Sequence, residues 1–246
     1  RQMCIRDRDG FNINDDCGAL HPERLAASVQ EHGACLGICL DGDGDRGIFV
    51  DERGTVRDGD DVLALFGRQL QRDGRLPGSR VVATVMSNLG LHKALREVGV
   101  GVEVTPVGDR NVFLAMQKLG AVVGGEQSGH VLFADHHLIG DGLYTGMRLL
   151  ATVRDGAMSA AFAAFHRFPQ ELINVPVKQK PPLDSVPAIA RKAAEVEKVL
   201  GSDGRLLLRY SGTEPKCRVM IEAADAATCK RLARELADVV ARELGA

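Results

Sequence analysis

The chain of 246 residues carries 31 Lys plus Arg against 33 Asp plus Glu, a formal net charge of −2, with 45% apolar and 26% charged residues. These proportions belong to a folded globular protein and exclude a disordered chain, which needs fewer apolar residues and more net charge. They also lack the basic excess of a general nucleic-acid binder, and with 4% aromatics and no Trp the core has to be built from Leu, Val, Ile and Ala.

Residues 1–8 differ from the rest: four of them are charged and no period is visible. They read like translated sequencing-adapter sequence, so they are expected to be foreign, with the natural coding region beginning further upstream. They hold no apolar signal-peptide core, and no apolar run in the chain reaches the length of about 18 residues that marks a membrane span. The six cysteines (Cys4, Cys17, Cys35, Cys39, Cys217 and Cys229) include no Cys-x-x-Cys. Free thiols in a reducing compartment, the cytoplasm, are therefore expected rather than disulfides or zinc.

A short helix is predicted over His21–His32, with Pro22 in its first turn and Leu25, Ala26 and Val29 on one face. A buried strand over Leu36–Leu40 runs into Asp41-Gly42-Asp43-Gly44-Asp45-Arg46, and a second strand, Gly47–Val50, follows. From Asp60 onward helices and strands alternate. A helix carries Val62, Leu63, Leu65, Phe66 and Leu70, and a strand spans Val81–Met86. A helix with Leu91, Ala94, Leu95 and Val98 and a strand near Val102–Val104 come next. Then follow a helix with Val112 to Leu119, strands at Ala121–Val123 and Val131–Phe133, and a helix that Asp141 opens as N-cap. This order predicts an α/β fold: a mixed, mainly parallel sheet with helices on both faces. After a break near Phe168-Pro169 the pattern becomes strand (172–177), helix (185–200), strand (205–209), strand (217–223) and long helix (226–244), a small C-terminal α+β domain.

Three loops can carry chemistry. In Asp41-Gly42-Asp43-Gly44-Asp45, three carboxylates at alternate positions can curl around one hard cation, since glycine permits the backbone angles that gather them. Carboxylate oxygens suit Mg²⁺ or Ca²⁺ rather than zinc. A calcium EF-hand fails on two counts: Arg46 stands where the sharp turn wants Gly, and the preceding segment is a strand. Arg46 suggests an anion beside the metal. Gly124-Gly125-Glu126-Gln127-Ser128-Gly129-His130 puts a carboxylate, a hydroxyl and an imidazole on one flexible loop, a set that can hydrogen-bond a polyhydroxy sugar and move a proton; a plain glycine-rich hairpin explains it equally well. Arg209-Tyr210-Ser211-Gly212-Thr213-Glu214-Pro215-Lys216-Cys217-Arg218 is a candidate phosphate cradle, with an anion nest near Gly212 and flanking arginines, against a solvated turn.

Elsewhere the structural reading prevails. His136 and His137, if on a strand, point to opposite faces and cannot share a metal. Ser87 lacks a Gly-x-Ser-x-Gly setting and suits a loop or cap, and Asp58-Gly59-Asp60 suits a turn into a helix. Val107-Gly108-Asp109-Arg110 reads as a helix start with Asp109 as N-cap, or as a loop presenting Arg110 to substrate.

Taken in order, these loops resemble the α-D-phosphohexomutase superfamily, and within it the bacterial phosphoglucosamine mutases. The resemblance is carried by Asn12-Ile13-Asn14, His21-Pro22-Glu23, Asp41 to Arg46, Val107 to Arg110, Gly125 to His130 and Ser211 to Pro215, and it covers residues 10 to about 246. It implies the last part of domain 2 over residues 1–57, domain 3 over 58–169 and domain 4 over 170–246. It implies Mg²⁺ on Asp41, Asp43 and Asp45, Arg46 near the transferring phosphate, and sugar hydroxyls on Glu126 and Ser128. It further implies His130 as proton shuttle, Arg110 facing substrate, and Arg209, Ser211, Gly212, Thr213 and Arg218 around the phosphate that stays put. The implied reaction converts glucosamine 6-phosphate to glucosamine 1-phosphate through a 1,6-bisphosphate and an enzyme phosphoserine. The partner implied is a small sugar phosphate, with neither nucleic acid nor membrane.

The chain departs from the pattern where the phosphoserine loop is concerned: no Thr-x-Ser-His-Asn run occurs in it. The expectation is a fragment that needs the N-terminal domains of the same protein for turnover. Cys17-Gly18-Ala19-Leu20 replaces the usual Cys-Gly-Ser-Thr, and Tyr210 and Lys216 are further departures. A phosphomannomutase/phosphoglucomutase is the alternative within enzymes, and a non-catalytic sugar-phosphate-binding module the alternative outside them.

Overall fold

The computed structural model describes residues 13–136, 138–153, 156–212 and 214–245. Residues 1–8, Asn12, His137 and Thr213 of the expectations above lie outside them. The chain divides into two compact units, one ending at His166 and one starting at Arg167. No helix among the described residues is long and apolar enough to cross a membrane.

The first unit begins with α1 (Glu23–His32), packed on a three-stranded antiparallel meander of β1 (Leu36–Leu40), β2 (Gly47–Asp51) and β3 (Val56–Arg57). The chain then enters α2 (Gly59–Arg72), whose start is a capping box: the Asp58 carboxylate accepts the Asp60 and Asp61 N–H groups, and Asp61 accepts the Asp58 N–H. Next come β4 (Arg80–Thr84), α3 (Leu89–Arg96), β5 (Gly101–Thr105), α4 (Asp109–Leu119), β6 (Val123–Gly125) and β7 (Val131–Phe133). The unit closes with α5 (Gly142–Thr152) and α6 (Met158–Ala161). Strand order is β5-β4-β6-β7, with β4 parallel to both β5 and β6, and β7 antiparallel.

Strand alternation divides this sheet's two faces. Val81, Ala83, Val123, Val131 and Phe133 meet Leu63, Phe66, Leu91 and Leu95 from α2 and α3. Val82 and Leu132 point the other way, onto Val112 and Met116 of α4. The parallel sheet with helices on both faces is therefore present as expected. Each of these fully buried aliphatic side chains contributes roughly 1.5–3 kcal/mol of transfer free energy.

The second unit is the expected α+β domain: β8 (Gln170–Pro176), α7 (Pro187–Leu200), β9 (Arg205–Tyr210), β10 (Lys216–Glu222) and α8 (Ala226–Leu244). Its sheet is antiparallel throughout, in the order β8-β10-β9. Val175, Cys217, Val219, Ile221, Leu206 and Leu208 face the helices, against Ile189, Val196, Leu232, Leu236 and Val240. By alternation, Arg209 and Arg218 lie on the face away from them.

Several expectations shift. Strand β6 begins at Val123, not Ala121, because the Ala121 N–H closes the end of α4 on Met116 O (3.0 Å), with Gly120 at φ 64°. Strand β4 stops at Thr84, whose hydroxyl and carbonyl take the N–H groups of Met86 and Ser87 in a turn. Asp109 is not an N-cap: Gly108 holds that position, and the Asp109 carboxylate accepts the N–H of Arg110 (2.7 Å). Pro22 occupies the cap position of α1 rather than its first turn. His136 sits in a turn, not a strand, and stacks on Tyr144 with ring centroids 4.0 Å apart. Strand β3 and helix α6 were not anticipated.

Candidate active-site loops

The acidic loop joins β1 to β2. One oxygen from each of Asp41, Asp43 and Asp45 lies within 4.8 Å of the others. Asp43 is exposed, and Asp41 and Asp45 are half-buried. Arg46 folds back over the loop: its N–H donates to Asp41 Oδ1 (3.1 Å), and its Nε stands 3.6 Å from Asp41 Oδ2 and 3.8 Å from Asp45 Oδ1. Burial, together with the neighbouring carboxylates Asp41 and Asp43, holds the Asp45 carboxyl above its usual range, and His130 opposes the shift. Asp45 Oδ1 is buried with no hydrogen-bond partner among the described residues. Three close carboxylates, one with an oxygen that no hydrogen bond answers among the described residues, fit a hard divalent cation such as Mg²⁺, and a donor trio made only of carboxylate oxygens suits that cation better than zinc.

The second loop is the hairpin between β6 and β7. Its ends are closed by Glu126 N–H to His130 O (2.9 Å) and Gly129 N–H to Glu126 O (3.0 Å). Glu126 is half-buried and its Oε1 accepts the Gly108 N–H (2.9 Å), which ties this loop to the Val107–Arg110 segment. Ser128 and Arg110 are exposed.

The two loops meet. His130 is buried, and its Nδ1 lies 3.0 Å from Asp45 Oδ2. The backbone fastens them as well, through Gly47 N–H to Gly129 O (3.1 Å), while Gly142 N–H to Gly44 O (3.0 Å) ties the acidic loop to the start of α5 and Gly59 N–H to Gln127 O (3.1 Å) joins the hairpin to the start of α2. Arg57 ties β2 to α2. It donates from Nε and Nη2 to Asp51 Oδ2 (2.9 and 2.8 Å) and from Nη1 to Asp61 Oδ1 (3.1 Å), with both carboxylates buried.

In the second unit the loop from Tyr210 to Lys216 is a hairpin connection between β9 and β10. Arg209 and Arg218 are direct cross-strand partners at its base. Burial, then the charge of Arg218, pulls the Arg209 guanidinium below its usual range. Arg218 Nη2 lies 3.5 Å from Glu214 Oε2, and Lys216 Nζ donates to Glu214 Oε1 (2.6 Å). Ser211 is buried, and its hydroxyl is turned into the loop, where it accepts the Glu214 N–H (3.3 Å). Gly212 is exposed at the tip. Sequence reasoning missed Lys180, whose Nζ donates to Ser211 O (2.7 Å); lying 31 residues from its partner, it carries no local signal.

Comparison with known proteins bears on all of these loops. The model for the phosphoglucomutase/phosphomannomutase alpha/beta/alpha domain III matches residues 58–168, and that for the C-terminal domain of the same proteins matches residues 172–239. The phosphoglucosamine mutase of Anaeromyxobacter dehalogenans (strain 2CP-C) is 51% identical over 238 residues, which is 96% of this chain and 51% of that protein. Among solved structures, a phosphoglucomutase/phosphomannomutase family protein from Burkholderia thailandensis has a TM-score of 0.70 at 28% identity, covering 91% of this chain and 50% of that one. The N-acetylphosphoglucosamine mutase of Aspergillus fumigatus, solved with GlcNAc-6P and magnesium, has a TM-score of 0.70 at 21% identity over 92% of this chain and 56% of that one. That last likeness is one of fold. The chain spans about half the length of the curated relatives it matches. With two consecutive domain models in register and a relative sharing half its residues, the chain belongs to the phosphoglucomutase/phosphomannomutase family.

Proposed function

We propose that this chain carries the cation, sugar and phosphate loops of a phosphoglucosamine mutase, which interconverts glucosamine 6-phosphate and glucosamine 1-phosphate through a 1,6-bisphosphate and a phosphoserine. The observation that carries this reading is the meeting of Asp41, Asp43 and Asp45 with His130, through the 3.0 Å contact of His130 and Asp45. On this reading residues up to 57 end domain 2, residues 58–169 form domain 3 and residues 170–246 form domain 4. The phosphoserine comes from N-terminal domains of the same protein, and the cytoplasm is the setting in which the free thiols persist.

Asp41, Asp43 and Asp45 hold Mg²⁺, which when bound neutralises charge building on the transferred phosphoryl group. Arg46, half-exposed beside the carboxylates, orients a phosphate oxygen by charge-assisted hydrogen bonds. Glu126 accepts from sugar hydroxyls; its Oε1 is already fixed by Gly108, so the carboxylate is held in place before the sugar arrives. Ser128 and Arg110 contribute from the rim. His130 has Nδ1 committed to Asp45, so Nε2 is the ring atom that holds or moves a proton at the sugar oxygen. Arg209 and Arg218, with the backbone of Ser211, Gly212 and Thr213, grip the phosphate that is not transferred.

The test is to join this chain to the N-terminal half of the Anaeromyxobacter relative and assay glucosamine, glucose and mannose phosphates side by side. Preferred turnover of glucosamine 6-phosphate, lost in Asp43→Ala, is the expected result. Preferred turnover of mannose or glucose phosphate moves the reading to a phosphomannomutase/phosphoglucomutase. Binding without turnover makes the chain a sugar-phosphate-binding module. Turnover by the 246-residue chain alone overturns the need for an N-terminal half.

A further inference from the structure

The acidic loop and His130 share a support that neither motif contains. The tripeptide Gly140-Asp141-Gly142 opens α5, with Asp141 as N-cap accepting the Tyr144 N–H (2.8 Å). Gly142 N–H donates to Gly44 O in the middle of the acidic loop (3.0 Å). Gly140 lies flat against the imidazole: a Cβ built there would stand 2.6 Å from both Nδ1 and Nε2 of His130. Real Cβ atoms do not approach a ring that closely, and the ring, being buried, has little room to retreat. Gly140 is not among the glycines of positive φ, so the close approach of the ring, rather than a left-handed backbone, is what calls for the absence of a side chain there.

We propose that Gly140 is a positioning residue for the cation site. It seats the His130 ring so that Nδ1 engages Asp45 Oδ2, and this fixes the carboxylate with Oδ1 turned to the cation. The inference rests on the reading of Asp41, Asp43 and Asp45 as a cation site. The chemistry is that of an outer partner that orients a metal-binding carboxylate, where loss of the partner typically weakens metal affinity about 10–100-fold. Here the ring is the partner, and the ring in turn depends on an atom that residue 140 does not have.

The prediction is a dependence of one position on another. In the purified 246-residue chain, Gly140→Ala should weaken Mn²⁺ binding, read by calorimetry, by about tenfold. His130→Ala should weaken it similarly. The double variant should be no worse than His130→Ala, because with the ring gone the new methyl has nothing to displace. A Gly140 that merely stabilised the start of α5 would give a further loss in the double variant, which overturns the proposal, as does wild-type affinity in Gly140→Ala. A metal-free readout separates this inference from the cation reading: the ring ¹⁵N signals of His130 in the labelled chain. They should show Nδ1 hydrogen-bonded in the wild type and released in Gly140→Ala. An unchanged ring signature in Gly140→Ala overturns the proposal even if Mn²⁺ binds. A wild-type chain with the expected ring signature and no Mn²⁺ binding overturns the cation reading and leaves the seating of the ring established. If Gly140→Ala alone does not fold, a folded double variant supports the ring contact, and a double variant that also fails to fold overturns it.

Discussion

Arg209 and Arg218 are direct cross-strand partners on β9 and β10, two cations on the sheet face that the helices leave uncovered. Like charges opposite one another across an antiparallel pair destabilise it by some tenths of a kcal/mol. Glu214 lies 3.5 Å from Arg218, whose Nε is buried with no hydrogen-bond partner among the described residues. An anion between the two arginines removes the conflict. Phosphate should therefore raise the melting temperature of the chain, and Arg209→Gln should abolish that rise while leaving the phosphate-free stability within about 1 kcal/mol of wild type. A phosphate effect that survives Arg209→Gln places the anion elsewhere.

The acidic loop gives the opposite case. Asp41, Asp43 and Asp45 crowd within 4.8 Å, and Asp43 is the exposed member. Removing it relieves repulsion in the metal-free chain, so Asp43→Ala should melt at the same temperature or slightly higher without metal. With millimolar Mg²⁺ the wild type should gain stability and the variant should not. Thermal scans with and without Mg²⁺, followed by chelator, check both halves of this statement.

Arg57 binds two buried carboxylates, Asp51 and Asp61, and its guanidinium lies 5.1 Å from the centre of the Phe162 ring. Its removal takes the Arg57 guanidinium from both buried carboxylates. Arg57→Ala should cost about 3–5 kcal/mol in urea unfolding, as broken buried ion pairs do. A cost under 1 kcal/mol means water reaches the carboxylates.

Glu52 fastens α6 to the β2–β3 turn, accepting from the Ser159 hydroxyl and, at 3.0 Å, from the Ser159 N–H. The Ser159 hydroxyl, ahead of the backbone bond, holds the Glu52 carboxyl below its ordinary value of 4.5. A lowered carboxyl pKa stabilises the fold above the unfolded value, and that contribution is lost as pH falls through the folded one. Ser159→Ala should thus cost about 1–2 kcal/mol at pH 7, and the gap from wild type should close as the pH drops below 4.5. Urea titrations at pH 7 and pH 4 decide the matter.

Burial pushes the Cys217 thiol up to about 11 and raises Cys229 as well, while Cys35 is exposed. Thiolate is the reactive form. Iodoacetamide at pH 8 should label Cys35 in the folded chain and spare Cys217 until denaturant is added, as peptide mapping would show.

The long elements were legible in the sequence because their own side chains specify them. Helix α8 runs from Ala226 to Leu244 as its period indicates, and Asp141 caps α5 as a lone Asp before an apolar run suggests. Strand β3, two residues long, and α6, four residues long, exist only through partners: β3 through pairing with β2, α6 through Glu52. The partner of β3 lies close by but the strand is too short to show a period, and the partner of α6 lies 107 residues away. The same distinction separates the site residues. The acidic loop carries its own spacing, so its three carboxylates could be named beforehand. The pairing of His130 with Asp45 joins residues 85 apart, and the seat at Gly140 is an absent side chain, which leaves no trace in composition or period. Ser211 shows the converse: the motif singled out its hydroxyl, and folding turned it inward onto Glu214.

The fastening of the acidic loop to the β6–β7 hairpin has a thermodynamic consequence. The bonds from Gly47 to Gly129 and from Gly142 to Gly44, with that of His130 to Asp45, order both loops when the chain folds. The conformational entropy of arranging them is thus settled before any ligand arrives. On the proposed reading of these loops as a sugar-phosphate site, affinity is then governed by stereochemical match, since a preorganised surface cannot reshape itself around an epimer. On the proposed reading, an inverted hydroxyl at the position facing Glu126 would leave a half-buried acceptor unanswered, and the discrimination it meets is set at folding.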